Sequence, residues 1–434
     1  MTPGAPLRVA VVGAGPAGAA VAIVLARQGA DVTLFDDARR PELLVGESLV
    51  PAVIPILRRL GVEREAASFS HVKPGVSFIW SKTDRFAFTF ARFAPGVVPY
   101  AYNVPRPRFD DTLATRAVTA GVRRVMARAR LERAGEVGGP ELTLAAETLA
   151  AAPALEGRQP DLIVDASGRA RSAAHVLGIG ADVGPRRDVA HFAHFEGFRW
   201  NDEPVGQVLI RRGEAGWTWC IPLRERLSVG IVLRPEAAAR LGRTPEERLA
   251  QAVLDDDWLH AIAGRARRVS AVATYTNYQL ISRRAYGPGW VAVGDAFGFV
   301  DPMLSPGVFL SLRSAELAAD ALAPALAGRI SWSPASLASL FRSYEATHRR
   351  ALAAWQELVA QFYDGRMLAL MRSGRGWMQG GSGPLKRTMQ GHIERHIALQ
   401  ASGMATTARY SRALLRFLVR YGLRGVRPEE MAIR

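Results

Sequence analysis

The sequence predicts an α/β fold in which a dinucleotide-binding domain of the βαβ type is interleaved with an antiparallel-sheet domain and followed by a helical C-terminal region. Three observations support this prediction. A glycine-rich turn near the N-terminus separates a β-branched run from a run of small apolar residues. Apolar and polar residues alternate over residues 187–233, a period typical of antiparallel strands with one buried face. Beyond Val308 the sequence is mostly helical in pattern.

The N-terminal elements predict the opening of a Rossmann-like domain. Leu7–Val12 is rich in β-branched residues and predicts a buried strand, Pro16–Gln28 predicts a helix, and Asp31–Phe35 predicts a second strand. A strand, a helix and a strand in this order form the unit that binds dinucleotides when glycines join the first strand to the helix.

The turn at that junction reads Gly-Ala-Gly-Pro-Ala-Gly and therefore matches G-x-G-x-x-G. We expect Gly13 to make the tight turn, Gly15 to let the backbone approach a pyrophosphate, and Gly18 to let helix and strand pack closely. Ala17 lies in the same turn and is counted with the cofactor-binding residues. Asp36 follows the second strand and is placed to accept hydrogen bonds from a ribose hydroxyl.

Two later segments indicate that the dinucleotide is FAD. Residues 161–168 and 290–296 are each a short buried strand that ends in a turn of small residues. The second turn places Asp295 where a carboxylate can hold ribityl hydroxyls. Together with the glycine turn, this set resembles the FAD fold of para-hydroxybenzoate hydroxylase and its relatives over about Arg8–Leu326.

Residues 297–307 precede a predicted helix and are expected at the reactive end of the flavin. Ser305 is a good N-cap residue, and Pro306 suits the first helical position. The amides of Gly307 and Val308 would then point at an anion, which the helix dipole favours. We expect Ser305, Pro306 and Gly307 to bind a halide, with Gly307 and Val308 also beside the flavin.

The chain resembles the flavin-dependent halogenases at several separate motifs. Residues 217–222 match W-x-W-x-I-P, and residues 299–307 match F-x-x-P-x-x-S-x-G, which includes Pro302. Residues 46–48 match G-E-S, and residues 72–78 match the region of the family's catalytic lysine, with Lys73 at its position. A further shared flavin-fold segment, residues 104–111, contains Arg106.

The resemblance implies a mechanism and a set of partners. A separate flavin reductase supplies FADH2, which reacts with oxygen and with chloride or bromide to give hypohalous acid. Lys73 passes the oxidised halogen to an electron-rich aromatic carbon. Trp217, Trp219 and Pro222 form a barrier between flavin and substrate. The implied cofactor-binding residues beyond the glycine turn are Asp36, Glu47, Ser48, Arg106, Asp295, Pro302, Gly307 and Val308.

Lysine is rare in this chain, which supports a special role for Lys73. The chain contains three lysines and 53 arginines. An ammonium donates hydrogen bonds to a small oxidant, and an amine against an apolar wall has a lowered pKa and can be halogenated. The guanidinium of arginine stays charged and does neither as well.

One departure from the pattern bears on the substrate. Tryptophan halogenases carry a glutamate before the serine of the second signature, where this chain has Leu304. The resemblance therefore favours the phenol and pyrrole branch, including substrates tethered to an acyl or peptidyl carrier protein. Two alternatives stay open on the sequence: an FAD-dependent monooxygenase or geranylgeranyl-reductase-like enzyme, and a degenerate flavoprotein that acts as a scaffold.

Composition excludes several other classes. The 434 residues carry a net charge of +16 but no nucleic-acid motif, no signal peptide and no apolar run that spans a membrane, so we expect a cytoplasmic protein. Cys220 is the only cysteine. The pairs His191/His194 and His392/His396 lack a third ligand, so no metal site is expected.

The expected domains are discontinuous. Residues 1–70, 105–182 and 281–326 form the FAD-binding domain, and residues 71–104 and 183–280 form the substrate-side sheet. Residues 327–434 form a helical region that covers the substrate site. Within it, the glycine-rich stretch at 374–383 predicts a break between helices.

Overall fold

The computed structural model describes residues 6–433 except 38, 40, 82–83, 94–96, 137, 201–202, 214, 380–382 and 424–425. The strands of the described residues, in chain order, are β1 (Arg8–Val12), β2 (Asp31–Phe35), β3 (His71–Lys73), β4 (Gly75–Ile79), β5 (Arg85–Thr89), β6 (Ala101–Asn103), β7 (Arg123–Val125), β8 (Leu131–Arg133), β9 (Leu142–Leu144), β10 (Leu162–Asp165), β11 (Ala181–Glu196), β12 (Val208–Arg212), β13 (Gly216–Pro222), β14 (Leu227–Leu233), β15 (Arg267–Arg268), β16 (Ala273–Ser282), β17 (Tyr286–Gly287), β18 (Trp290–Ala292) and β19 (Gly298–Phe299).

The α-helices of the same residues are α1 (Pro16–Arg27), α2 (Val53–Leu60), α3 (Glu63–Phe69), α4 (Phe90–Phe93), α5 (Arg106–Thr119), α6 (Ala146–Ala150), α7 (Ser172–Leu177), α8 (Pro235–Leu241), α9 (Pro245–Asp255), α10 (Asp257–Ala263), α11 (Gly307–Leu326), α12 (Pro334–Tyr363), α13 (Arg366–Gln379), α14 (Pro384–Ala401), α15 (Arg409–Tyr421) and α16 (Pro428–Met431). Short 3₁₀ turns occupy Pro153–Leu155, Gly168–Ala170 and Gly294–Ala296.

The dinucleotide domain is built on a six-stranded sheet with the order β17-β18-β10-β1-β2-β7. All pairs in it are parallel except β17 with β18. Parallel strands in such sheets are buried on both faces, which explains the nearly continuous apolar sequence of β1, β2 and β10. Their carboxyl ends meet at one edge, where ligands bind in folds of this type.

The second sheet places its strands in the order β19-β16-β11-β14-β13-β12-β4-β5, and β15 pairs with the side of β11. It is antiparallel except for the pair β4–β12. One face joins the main hydrophobic core that it shares with the dinucleotide domain. The other face packs against a smaller core that includes residues of α9 and α10.

Local sequence signals explain where several helices begin. Pro16, Pro245 and Pro334 each occupy the first turn of a helix, where a missing N–H costs nothing. Thr244 and Ser333 cap their helices by accepting a hydrogen bond from the backbone three residues later.

The two sheets and the helices that follow β19 confirm the predicted α/β class, the antiparallel sheet and the helical C-terminal region.

Two features differ from the sequence-based expectation. Helices α8, α9 and α10 interrupt the predicted sheet region, where they cover its outer face. The break between helices predicted at 374–383 is confirmed only for its second half: α13 continues through Gly374 and Gly376 to Gln379, α14 begins at Pro384, and residues 380–382 lie outside the described part. Glycine lowers helix propensity by about 1 kcal/mol per residue, which neighbouring packing easily offsets.

Candidate active site

One cavity of about 430 Å³ runs from the carboxyl edge of the six-stranded sheet to the inner face of the second sheet. It brings together residues from motifs that are far apart in the sequence. The cavity walls include Gly13, Gly15, Ala17, Asp36, Glu47, Ser48, Arg106, Trp217, Trp219, Asp295, Pro302, Ser305, Gly307 and Val308.

The glycine turn after β1 forms the first end of this cavity. Gly13 has a φ of +103°, and a Cβ there would lie 2.5 Å from the carbonyl oxygen of Ala166. A Cβ on Gly18 would lie 1.8 Å from the carbonyl oxygen of Gly13, so this glycine allows helix α1 to pack closely on the turn. A Cβ on Gly15 would meet nothing within 4 Å and would project into open space. The turn is therefore shaped to admit a ligand at Gly15.

Asp36 lies in the cavity wall directly after β2 and is 1% exposed. The Nε of Arg124 donates a 2.9 Å hydrogen bond to its Oδ2, and Arg124 also pairs with Asp111. The sequence offered no signal for this arginine, which comes from β7 at the edge of the sheet. A fixed carboxylate at this place suits a ribose hydroxyl.

Asp295 lies in the same cavity wall after β18. Burial raises the pKa of its carboxyl to about 6, although the charges of Arg106 and Arg169 act in the opposite direction. The guanidinium of Arg106 is held by two hydrogen bonds to Asp110, at 3.0 and 3.1 Å, and by one to the carbonyl oxygen of Val45. The Asp295 carboxylate and the Arg106 guanidinium therefore line one cavity, and their charges interact.

Glu47 is buried in the cavity wall and is paired with His194, which the sequence pattern suggested only as a candidate metal ligand. The Nε2 of His194 lies 2.6 Å from Oε1 of Glu47, and both side chains are almost fully buried. His194 lies on β11 on the same face as Phe192, which also borders the cavity. The pairing ties the loop that carries Glu47 to β11 of the second sheet across 147 positions of sequence.

Lys73 lies directly behind Ser48. It is 1% exposed, and its Nζ donates hydrogen bonds to Ser48 Oγ at 2.7 Å and to the carbonyl oxygen of Leu49 at 2.9 Å. The ring of Phe90 lies 5.7 Å from this nitrogen. Burial lowers the pKa of the Lys73 ammonium from 10.5 to about 7. The amine is therefore one hydrogen bond away from the cavity, on the inner side of Ser48.

The indoles of Trp217 and Trp219 lie side by side in the cavity wall, with ring centroids 5.7 Å apart. Ile221 is the third residue of β13 on this face. Pro222, which we expected in the barrier, does not line the cavity, because side chains alternate along a strand and its position has the opposite parity. Its carbonyl oxygen instead accepts a hydrogen bond from Asn103 on β6.

The loop before α11 forms the far end of the cavity. Leu304 and Ser305 have φ values of +71° and +59°, an unusual left-handed pair of residues with side chains. The amide of Ser305 bonds to the carbonyl oxygen of Pro302 at 2.8 Å. Ser305 is therefore not the N-cap we expected: the helix begins at Gly307, and Pro306 takes the cap position. Ser305 and Gly307 line the cavity, whereas Pro306 does not.

These residues fit a bound FAD. Open space beside Gly15 admits a pyrophosphate, and a Cβ on Gly307 at the other end would also meet nothing within 4 Å. The buried carboxylate of Asp36 and the partly exposed carboxylate of Asp295 offer acceptors for hydroxyl groups, and two indoles offer a flat apolar wall. In the described ranges, no cluster of His, Cys, Asp and Glu has the make-up of a metal site, and no helix is long and apolar enough to cross a membrane.

Comparison with known proteins identifies the family. The profile described as tryptophan halogenase matches residues 8–98 and 94–367. A tryptophan 2-halogenase of Chondromyces crocatus is 32% identical over 371 residues, which cover 82% of this chain and 68% of that protein. A 1H-pyrrole-2-carbonyl-[peptidyl-carrier protein] chlorinase of Pseudomonas fluorescens is 27% identical over 82% of this chain and 83% of its own length.

Solved structures agree with this assignment. The myxobacterial chondrochloren halogenase CndH is 28% identical with a TM-score of 0.71, and the match covers 82% of each chain. The flavin-dependent brominase Bmp2 matches 96% of this chain and 98% of its own with a TM-score of 0.73, and at 21% identity it shows the shared fold. The chain belongs to the tryptophan halogenase family and is a flavin-dependent halogenase that uses FAD and a halide to halogenate an aromatic substrate.

Proposed function

We propose that Lys73 is the catalytic amine of this halogenase and that the substrate is a phenol or a pyrrole. The observation that carries the proposal is the buried Lys73 Nζ, held by Ser48 and Leu49 beside the flavin cavity. Bound in this cavity, FAD would supply the oxidising chemistry, which also needs a reductant, oxygen and a halide. A separate flavin reductase provides the reduced flavin.

The environment of Lys73 suits a group that accepts an oxidised halogen. With a pKa of about 7, a large fraction of the side chain is a neutral amine near neutral pH. Such an amine has two N–H donors, which match the two acceptors at Ser48 and Leu49, and a lone pair that is left to react. Ser48 borders both the cavity and the amine, so it marks the route from the flavin side to Lys73.

The remaining residues bind and separate. The glycine turn, Asp36 and Asp295 hold the dinucleotide, and Arg106 lines the same cavity. The backbone around Ser305 and Gly307 offers the halide a place at the N-terminus of α11, whose dipole favours an anion. Trp217 and Trp219 exclude bulk water and keep the organic substrate away from the flavin.

The proposed substrate class follows from Leu304. A carboxylate at this position would stabilise the cation that develops on a weakly activated ring. Leu304 is apolar and partly buried against the main core, so it cannot stabilise this cation. The aromatic ring of the substrate must therefore be electron-rich by itself. Phenols and pyrroles are such rings. The Chondromyces relative is named a tryptophan 2-halogenase, which favours tryptophan, so the product analysis includes tryptophan as a substrate.

We further propose that the substrate arrives on an acidic carrier protein. Two relatives, from Pseudomonas and Pseudoalteromonas, are named for pyrrole groups carried on a peptidyl carrier protein. Between Gly365 and Pro428 this chain has twelve Lys or Arg residues and one acid, Glu394. Helix α15 exposes arginines and aromatics along one face: Arg409, Tyr410, Arg416, Phe417, Arg420 and Tyr421. Aromatic and arginine side chains dominate protein interfaces, and positive charge selects an acidic partner.

The test is product analysis by mass spectrometry. The protein receives FADH2, oxygen and chloride or bromide, with phenols, pyrroles and tryptophan, each free and carrier-bound where the chemistry allows. We expect a halogenated phenol or pyrrole. Lys73→Met should bind FAD normally and form no product, because methionine has a similar length and no amine.

The matched control is Thr274→Val, which removes a polar group from β16 of the second sheet, whereas Lys73 lies on β3, outside that sheet; the Oγ1 of Thr274 contacts His191. This variant should form product at the wild-type rate. Product formation by Lys73→Met would refute the role of the amine. Halogenation of free tryptophan with no reaction on phenols or pyrroles would refute the substrate class.

A further inference from the structure

Tyr363, the last residue of α12, connects the indole wall of the cavity, formed by Trp217 and Trp219, to the loop that contains Ser305. Its hydroxyl accepts a 2.9 Å hydrogen bond from Nε1 of Trp217. The same hydroxyl donates a 2.9 Å hydrogen bond to Oδ2 of Asp301. All three side chains are buried, with exposed fractions of 3% for Trp217, 7% for Tyr363 and 0% for Asp301.

Asp301 extends this hydrogen-bond network into the loop of residues 300–306 before α11, which we call the halide loop because it contains Ser305. Its Oδ1 accepts a 2.8 Å hydrogen bond from the amide of Met303, one residue before the left-handed pair Leu304 and Ser305. A chain of hydrogen bonds therefore runs from the indole of Trp217 through Tyr363 to the backbone that shapes the end of the cavity. A left-handed conformation costs a residue with a side chain about 1 kcal/mol or more, so contacts that fix this loop are needed.

The ring of Tyr363 also borders a second space. An open groove of about 840 Å³ lies between β11, β16 and α12, and Tyr363 and Arg186 are among the residues that line it. Trp217 lines the flavin cavity. The Trp217–Tyr363 pair therefore forms part of the partition between the flavin cavity and a groove open to solvent.

Other contacts hold Tyr363 in place. The guanidinium of Arg186 stacks on its ring at 3.9 Å from the ring centroid and is itself paired with Asp188. The carbonyl oxygen of Tyr363 accepts a hydrogen bond from the amide of Ile433, near the C-terminus. With burial and the Asp301 carboxylate raising the pKa of its phenol well above 10, Tyr363 keeps the proton that it donates.

We propose that Tyr363 is a positioning residue that ties the indole wall to the halide loop and so keeps hypohalous acid inside the flavin cavity. The inference rests on the proposed function, because it assumes that the oxidant forms beside Ser305 and must reach Lys73. Without the Tyr363 hydroxyl, the indole of Trp217 loses its acceptor and turns more freely. The partition then opens towards the groove, and oxidant escapes before it reaches the amine.

The experiment compares Tyr363→Phe with Tyr344→Phe in the full-length, FAD-loaded protein. Tyr344 is a matched control because it is a buried tyrosine of the same helix whose hydroxyl donates a 2.7 Å hydrogen bond to the carbonyl oxygen of Ala292. Taurine in the buffer traps escaped hypochlorous acid: the N–Cl bond forms as the O–Cl bond breaks, and water leaves. Halogenated product and N-chlorotaurine are counted per FADH2 consumed.

We expect Tyr363→Phe to bind FAD like the wild type but to lower the ratio of product to N-chlorotaurine about fivefold, the population change that loss of one buried hydrogen bond produces. Tyr344→Phe should leave the ratio unchanged. Trp217→Phe should reproduce the leak, and adding Tyr363→Phe to it should change little more, because both remove the same hydrogen bond.

A second readout does not depend on activity. The indole N–H of Trp217, assigned by its loss in Trp217→Phe, should exchange with deuterium faster in Tyr363→Phe than in the wild type or in Tyr344→Phe. A wild-type ratio and wild-type exchange in Tyr363→Phe would overturn the inference. Absence of both product and N-chlorotaurine in the wild type would instead refute the proposed function, and the exchange measurement would still decide whether Tyr363 holds the indole.

Discussion

Replacing Lys73 with methionine should change how the stability of the protein depends on pH. The amine is 1% exposed and has two hydrogen-bond acceptors, and its burial lowers the pKa from 10.5 to about 7. In the unfolded chain the same amine returns to its ordinary pKa. Between these two values, the unfolded state binds a proton that the folded state has released.

The difference between the folded and unfolded pKa values sets the direction and the magnitude of the pH effect on stability. Because the unfolded state binds more protons above about pH 7, the free energy of unfolding contributed by Lys73 rises with pH until about pH 10.5. Below pH 7 both states are protonated, and the full cost of burying the charge is present. Each pKa unit is worth about 1.4 kcal/mol, so the contribution changes by about 2 kcal/mol between about pH 7 and about pH 9.

Urea denaturation of wild type and Lys73→Met, with the same saturating FAD at each pH, measures this effect. Other titrating groups are shared and cancel in the difference between the two unfolding free energies. We expect the stability advantage of Lys73→Met to be greatest below pH 7 and to shrink by about 2 kcal/mol between about pH 7 and about pH 9. A difference that stays flat over this range would mean that the amine keeps its ordinary pKa and is hydrated, which would refute the reasoning about Lys73.

Three further predictions concern the cofactor and the partner. Gly15→Val should fold normally and lose FAD affinity, measured by flavin fluorescence, because its side chain enters open ligand space; normal affinity would contradict the assigned pyrophosphate site. Asp295→Asn should be more stable than wild type above about pH 6, by up to about 3 kcal/mol, because a carboxyl whose pKa is raised destabilises the fold once it ionises. The same variant should bind FAD more weakly. Equal stability in urea denaturation would argue against this. Joint replacement of Arg409 and Arg420 by Glu should raise the KM for a carrier-bound substrate and leave the KM for a free substrate unchanged. The exposed control Arg329→Glu should change neither KM. An unchanged KM for the carrier-bound substrate in the double variant would exclude α15 as the contact.

The sequence was sufficient where the chemistry is set by consecutive residues. The glycine turn at 13–18, the strand–helix–strand around it and the turn at Asp295 all depend on local backbone conformation, and each is found where the pattern placed it. The opposite placement of Pro222 was also readable from the sequence. If Trp217 and Trp219 share one face of a strand, strand alternation puts residue 222 on the other face.

The tertiary structure alone decided which side chains meet. Side-chain hydrogen bonds join four pairs of residues that are 25 to 147 positions apart in the sequence: Lys73 with Ser48, His194 with Glu47, Arg124 with Asp36, and Trp217 with Tyr363. Such pairs depend on how two sheets and the C-terminal helices pack, which no local pattern specifies. The lowered pKa of Lys73 has the same origin: the sequence determined that a lysine stands there, but only packing removed the water that would have kept it charged.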